Sequence, residues 1–365
     1  MPVAFICRLF FHAIKLDTQM QYRLLGRTGL YVSEICLGTM TFGGAGFWKV
    51  IGQLGIDAAT ELVKTAFDKG VNFFDTADVY SEGQSEVILG KTLVKLGLPR
   101  EEVVIATKVR ERLGNTPNQV GLSRHHILTG IDRSLKRLQV EYIDLYQVHG
   151  FDPLTPIEET LSTLNDVIAS GKVRYIGLCN FSAWQIMKAL AIADKYHWHR
   201  FESVQAYYSL AGRDLEREII PLAQDQHLSI LPWSPLAGGL LSGKFQRHQD
   251  NPAGARRTTF DFPPVDLERT YNIIDVLQPI AQSHNCSIAR ISLAWLLSRS
   301  HVTSIIIGAK SVEQLRDNLM AAELILTDDE LAAIDKVSHL PVEYPQWMLN
   351  YQTQERSPGG SRPAS

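Results

Sequence analysis

Tyr142-Ile-Asp-Leu-Tyr-Gln-Val-His149 is an apolar run that ends on an imidazole. A stretch opened by Pro156 and Glu158 and stopped by Gly171 follows it, and Tyr175-Ile-Gly-Leu-Cys-Asn180 comes next. Near-continuous apolar runs of this length suit strands buried on both faces, and the stretch between them carries the end signals of a helix. Two such strands joined through a helix run parallel. The same alternation extends outward in both directions. Glu34-Ile-Cys-Leu-Gly38, Val71-Asn-Phe-Phe-Asp75 and Val103-Val-Ile-Ala-Thr-Lys108 precede the unit. Ser203-Val-Gln-Ala-Tyr-Tyr208, Leu228-Ser-Ile-Leu-Pro-Trp233 and Thr303-Ser-Ile-Ile-Ile-Gly308 follow it. Eight ordered strand-then-helix units predict an α/β fold of the (β/α)8 TIM-barrel type rather than a doubly wound sheet.

The helical stretches support this. Residues 58–69 place apolar side chains at 59, 62, 63, 66 and 67 and end at Gly70, Ser123 caps a helix running to Leu138, and 288–297 is a short apolar helix. Two segments exceed the minimal unit. Tyr22 to Ser33, with turn glycines 26 and 29, predicts a hairpin that plugs the barrel floor. Gly243 to Asp266 predicts a long loop after strand seven, followed by an additional helix over about 268–283.

At 365 residues, length alone permits one domain or two; the barrel makes it one, over 20–340. Residues 1–19 are expected to be an extension, and 341–365 a tail whose last fifteen residues read as flexible. With 36 basic against 39 acidic residues, bulk charge points to neither nucleic acid nor a membrane surface, and no run is long and apolar enough to span a bilayer. Cysteines 7, 36, 179 and 286 form no C-x-x-C pair, so a reducing, cytoplasmic setting is expected, with Cys36 and Cys286 in the core. No H-E-x-x-H or G-x-G-x-x-G occurs, so neither a metal site nor a Rossmann site is expected. Gly238-Gly-Leu-Leu-Ser-Gly-Lys244 has P-loop spacing, but Phe245 stands where a magnesium-binding hydroxyl is needed. His125 and His126 open a helix and are expected at the surface.

In a barrel the carboxyl ends of the strands converge on one mouth. Asp75, Lys108, His149, Asn180 and Gln205 recur at those ends. Tyr80 lies five residues beyond Asp75. A phenol beside an ammonium is expected to have its pKa lowered, and such a phenol can protonate a developing alkoxide. Taken singly, Asp75 reads equally well as a helix cap, Lys108 as half of a buried pair and His149 as a satisfied strand end. Four such groups at successive strand ends favour a catalytic reading.

With Gly70-Val-Asn-Phe-Phe-Asp-Thr-Ala-Asp-Val-Tyr80, Tyr175-Ile-Gly-Leu-Cys-Asn-Phe-Ser182 and Trp233-Ser-Pro-Leu236, the sequence resembles the aldo-keto reductases over about residues 20–340. The resemblance implies a catalytic tetrad of Asp75, Tyr80, Lys108 and His149, with Tyr80 as proton donor, Lys108 tuning it, Asp75 positioning Lys108 and His149 orienting a substrate carbonyl. It also implies a nicotinamide cofactor, with Asn180 and Gln205 on the carboxamide and Trp233 stacked on the ring. Cys179 stands where the family commonly has serine, which puts one cofactor hydrogen bond in doubt. Ser234, Leu236, Gly238 and Lys244 resemble the pyrophosphate clasp. Gly308 leads into a helix N-terminus, which attracts anions; there Lys310, Ser311 and Arg316 are expected at a 2′-phosphate, and Gln314 and Asn318 at ribose or adenine. These cations favour NADPH over NADH.

The expected activity is reversible NADPH-dependent reduction of an aldehyde or ketone to an alcohol, with a small carbonyl compound as substrate. Phe42, Trp48 and Tyr207 are candidate apolar walls. The resemblance extends to cofactor-binding regulatory subunits of ion channels, the alternative reading. Without the resemblance, a phosphate-binding barrel lyase or isomerase remains open.

Overall fold

Each of the eight apolar runs forms a strand in the computed structural model, which describes residues 20–245, 247 and 256–356. The expected extension over 1–19 lies outside the described residues. Two short antiparallel strands, β1 (Tyr22–Leu24) and β2 (Tyr31–Ser33), come first. The eight parallel strands are β3 (Ile35–Gly38), β4 (Phe73–Asp75), β5 (Val104–Val109), β6 (Ile143–Val148), β7 (Val173–Cys179), β8 (Phe201–Tyr207), β9 (Ser229–Trp233) and β10 (Ile305–Ile307). They follow one another around the sheet in chain order, with β10 beside β3. A parallel bridge between Ile230 and Val302 brings the two edges together and nearly closes the barrel.

Helices α1 (Ile56–Asp68), α2 (Gln84–Leu96), α3 (Arg124–Leu138), α4 (Ile157–Ala169), α5 (Ala183–Tyr196) and α6 (Ile219–Gln226) fill the first six connections. The connection after β9 holds α7 (Arg256–Thr259), α8 (Leu267–Ser283) and α9 (Ile288–Leu297). After β10 come α10 (Val312–Leu319), α11 (Asp328–Ser338) and α12 (Gln346–Arg356). Side-chain capping sets several of the starts: Ser123 accepts from His126 N, Ser287 from Arg290 N and Ser311 from Gln314 N. Two segments depart from the sequence reading. His126 is buried, because it takes the inward face of the first turn of α3, while His125 points outward. Residues 351–356, expected to be flexible, continue α12, since the first glycine or proline of that stretch comes only at Pro358.

Inside the barrel, alternate side chains face the axis. The lower layer is apolar: Cys36, Phe73, Val104, Leu145, Leu231 and Ile306 pack on Leu25 and Val32 of the amino-terminal hairpin. The hairpin thus seals the floor, as its position in the sequence suggested. One turn of pleat higher, Asp75, Lys108, Gln147 and Gln205 replace the apolar residues, all buried. The barrel is therefore dry below and polar at its mouth.

Candidate active site

The polar layer is built from strand register. Asp75 pairs with Ala106, Lys108 with Gln147 and Cys179 with Gln205 on adjacent strands. Lys108 Nζ donates to Asp75 Oδ2 at 2.5 Å, to the Thr76 carbonyl at 2.8 Å and towards the Tyr80 hydroxyl at 3.4 Å. Asp75 and Lys108 are both buried, so each needs the other: removing one partner of such a pair costs about 3–5 kcal/mol. Tyr80 reaches the pair because the chain after Asp75 turns tightly, with Ser81 and Glu82 in the left-handed region and Gly83 leading into α2. The Ser81 hydroxyl pins this turn by accepting from Gly44 N at 2.9 Å and donating to the Phe42 carbonyl at 2.9 Å.

The expected lowering of the Tyr80 pKa is corrected here. Burial outweighs the Lys108 charge, and the phenol is pushed up to about 12. Lys108 pulls in the lowering direction, but Asp75 offsets part of that pull. The lysine itself is raised, because the charge of Asp75 and its neighbours exceeds the burial penalty. His149 lies against Tyr80 with ring centroids 5.9 Å apart. Burial, then the Lys108 and Arg110 cations, hold its imidazole well below the usual histidine range. The site therefore presents a protonated phenol, a neutral imidazole and a buried ammonium–carboxylate pair.

Towards one side of the mouth, Asn180 donates to the His149 carbonyl at 3.0 Å and accepts from Trp233 Nε1 at 3.0 Å. Gln205 donates to Asp75 Oδ1 at 2.9 Å. The Cys179 thiol is fully buried and points to Gln147 Oε1 at 3.9 Å. Its burial keeps it out of the cleft wall, so it supplies no donor there.

A cleft of about 770 Å³ runs from Tyr80 and His149 past Asn180, Gln205 and Trp233 to Lys310. Ser234, Leu236, Gly238, Lys244, Gly308, Gln314 and Asn318 also line it. Ser234 accepts from Gly238 N at 3.0 Å, and Ser234, Gly238 and Gly239 all adopt positive φ, which turns backbone N–H groups along the loop. Lys108 lies buried beneath the lining, and two residues expected at the 2′-phosphate stand outside it. Ser311 spends its hydroxyl on the cap of α10, and Arg316 is exposed on that helix. A cation that sequence reasoning missed, Arg256, lines the cleft from the segment after β9. Burial, with Arg257 beside it, brings Arg256 down to about 10. Lys310 is lowered by burial and by Arg256 and Lys244. Among the described residues, Lys244, Arg256 and Lys310 form no ion pair with a carboxylate, so three cations face each other in need of an anion. No sequence motif marks Arg256; its neighbours Arg247 and Arg257 look identical in the sequence but pair with Glu268 and Asp261.

Of the apolar walls expected, Trp48 lines the cleft and packs on Tyr80 with ring centroids 5.0 Å apart. Phe42 is fully buried in the core and lies outside the cleft, because it sits under the turn that Ser81 ties down. Tyr207 stands behind Trp233, at 5.2 Å. Phe47, Ile51, Val79, Phe260 and Phe262 complete the walls. Among the described residues no cluster of three or more His, Cys, Asp or Glu side chains is arranged to hold a metal ion. No described helix is long and apolar enough to cross a membrane.

A sequence profile described as the aldo/keto reductase family matches residues 34–339. The chain is 38% identical over 329 residues to an uncharacterized oxidoreductase, YrpG, of Bacillus subtilis (strain 168), covering 87% of this chain and 96% of that protein. It is 35% identical to a versiconal hemiacetal acetate reductase of Aspergillus parasiticus, covering 87% of this chain and 96% of that one. A probable voltage-gated potassium channel subunit beta of Oryza sativa subsp. japonica is 36% identical and is covered over 100% of its length, with 91% of this chain.

Proposed function

Because the chain belongs to the aldo/keto reductase family, we propose that it reduces an aldehyde or ketone to an alcohol with NADPH as reductant. One observation carries this reading. Tyr80, protonated and in reach of the buried Lys108–Asp75 pair, opens on a cleft that also holds Lys244, Arg256 and Lys310, none of which pairs with a carboxylate among the described residues, and Arg256 lies close enough to Tyr80 for their charges to interact. Those cations fit a phosphorylated dinucleotide: Lys244 and Arg256 would hold the pyrophosphate, Lys310 the 2′-phosphate, and Trp233, Asn180 and Gln205 the nicotinamide. Bound there, the nicotinamide supplies the hydride.

This chain's own residues supply the rest. The Tyr80 hydroxyl donates its proton to the oxygen of the reduced carbonyl, and Lys108 stabilises the phenolate left behind. His149, neutral, turns a ring nitrogen to the same oxygen and orients it. Asp75 keeps Lys108 charged and fixed. Trp48, Phe47 and Phe260 keep water from the reacting atoms and favour an apolar carbonyl compound. Tyr80→Phe is expected to lower kcat by about 10²-fold or more while the NADPH Kd, read from tryptophan quenching, stays within about twofold. Nicotinamide absorbance on a panel of carbonyl compounds and sugar aldehydes measures it, and full activity of the variant would remove the proton-donor assignment.

The rice relative, matched over its whole length under a channel-subunit name, favours a second reading in which the same cleft binds the cofactor as a sensor. Co-purification with a membrane partner, together with negligible turnover across the panel, would select it.

A further inference from the structure

We propose that Gln147 is a positioning residue of this site: it fixes the second oxygen of Asp75, so that Gln205 is free to turn to a bound nicotinamide. The proposal rests on the reductase reading above and adds a residue to it.

Gln147 faces the barrel axis from β6, fully buried, directly across from Lys108 in the register of β5 and β6. Its Nε2 donates to Asp75 Oδ1 at 3.0 Å, while Lys108 takes Oδ2. Its Oε1 accepts from Gln205 Nε2 at 3.1 Å and from the Cys179 thiol at 3.9 Å. Every one of these contacts requires the same orientation of the amide: turned over, it would set an oxygen against a carboxylate and an NH2 against donors. Room for the side chain comes from β7. Gly177 is the register partner of Gln147, and a Cβ there would stand 3.2 Å from Gln147 Cγ and 2.4 Å from Ser203 Oγ.

The two glutamines differ in what else they touch. Gln205 Nε2 donates to both Asp75 and Gln147, yet Gln205 also lines the cleft. Gln205 Oε1 can accept from a ligand with both bonds intact, but a ligand acceptor that draws on Nε2 displaces one of them. Gln147 is absent from the cleft wall, and among the described residues its nitrogen donates to Asp75 alone. A carboxylate held at Oδ2 by an ammonium and at Oδ1 by one constant amide cannot rotate, and Lys108 therefore keeps its place beside Tyr80. Lacking that amide, Asp75 swings when Gln205 leaves, and the proton donor loses its fixed neighbour.

The test compares Gln147→Met, similar in length but without a donor, with Gln147→Glu. In Gln147→Met, kcat is expected to fall about tenfold while the NADPH Kd stays within about twofold. In Gln147→Glu the introduced carboxyl donates to Asp75 only when protonated, so kcat recovers as pH is lowered, a limb missing from wild type and from Gln147→Met. A kcat for Gln147→Met within twofold of wild type overturns the proposal. So does a loss of kcat matched by equal loss of cofactor affinity and of thermal stability, which marks a purely structural role. Should wild type turn over no carbonyl compound, the reductase reading fails. The cofactor-free protein then decides for Gln147: denaturation of Gln147→Met, Asp75→Asn and the double variant shows coupling if Gln147 acts through Asp75, and additive losses overturn that.

Discussion

His149 shows how one side chain's surroundings set its chemistry. Its imidazole is lowered well below the usual value, by burial first and then by Lys108 and Arg110. In the unfolded chain it titrates near 6.5, so below that pH the unfolded state binds a proton that the folded state refuses. Stability therefore falls as pH drops through 6.5, and His149→Gln is expected to flatten that decline in melting curves taken between pH 5 and 7.5. The imidazole also stays neutral where the reductase works. The pH profile of kcat is expected to show no inflection near 6.5 that disappears in His149→Gln; finding one would mean that the charged form takes part. Tyr80, pushed up to about 12, likewise keeps its proton through the neutral range, as a donor must.

Elements bring these groups to the mouth, and the packing of α2 on α3 holds the helix that follows the Tyr80 turn. Helix α2 starts directly after the Tyr80 turn, and Glu86 near its start accepts from Arg137 of α3 at 2.5 Å. The two helices approach so closely that a Cβ on Gly90 would stand 2.3 Å from the Leu138 carbonyl oxygen. Gly90 is thus a packing contact. Two effects oppose each other in Gly90→Ala. Helix propensity favours alanine by about 1 kcal/mol, and overpacking against backbone costs about 1–3 kcal/mol. Because the obstacle is backbone and cannot swing aside, the variant is expected to be less stable, with a lower denaturant midpoint. A midpoint equal to or above wild type would show that the helices separate without cost.

Across the whole molecule, Lys244, Arg256 and Lys310 come from three separate segments to one cleft while the net charge of the chain is only −3. Hydrogen bonds to charged groups contribute about 1.5–3 kcal/mol, so loss of one is worth about tenfold or more in affinity. Lys310→Ala is expected to weaken NADPH by that factor and NADH much less, since NADH has no 2′-phosphate. Arg316→Ala, on the exposed side of α10, should leave both within about twofold. Equal losses for the two dinucleotides in Lys310→Ala would remove the 2′-phosphate assignment.

The residue patterns alone determined the barrel, its sealed floor, the additional helix α8 after β9 and the gathering of Asp75, Tyr80, Lys108 and His149, because strand and helix periods and capping residues are local properties of the chain; α7 formed within the stretch expected to be loop. Strand order then carries local information around the ring without further choice. The tertiary structure decided what depends on close approach and on desolvation. It put Gln147 against Asp75, 72 positions apart in the chain, and Gln205 against the same oxygen, 130 apart. Arg256 was singled out from its neighbours only because, among the described residues, they found carboxylates and it did not. Even the sign of the Tyr80 shift lay beyond the sequence: a neighbouring ammonium is legible as a spacing, but the depth of burial that outweighs it exists only once the mouth of the barrel has formed.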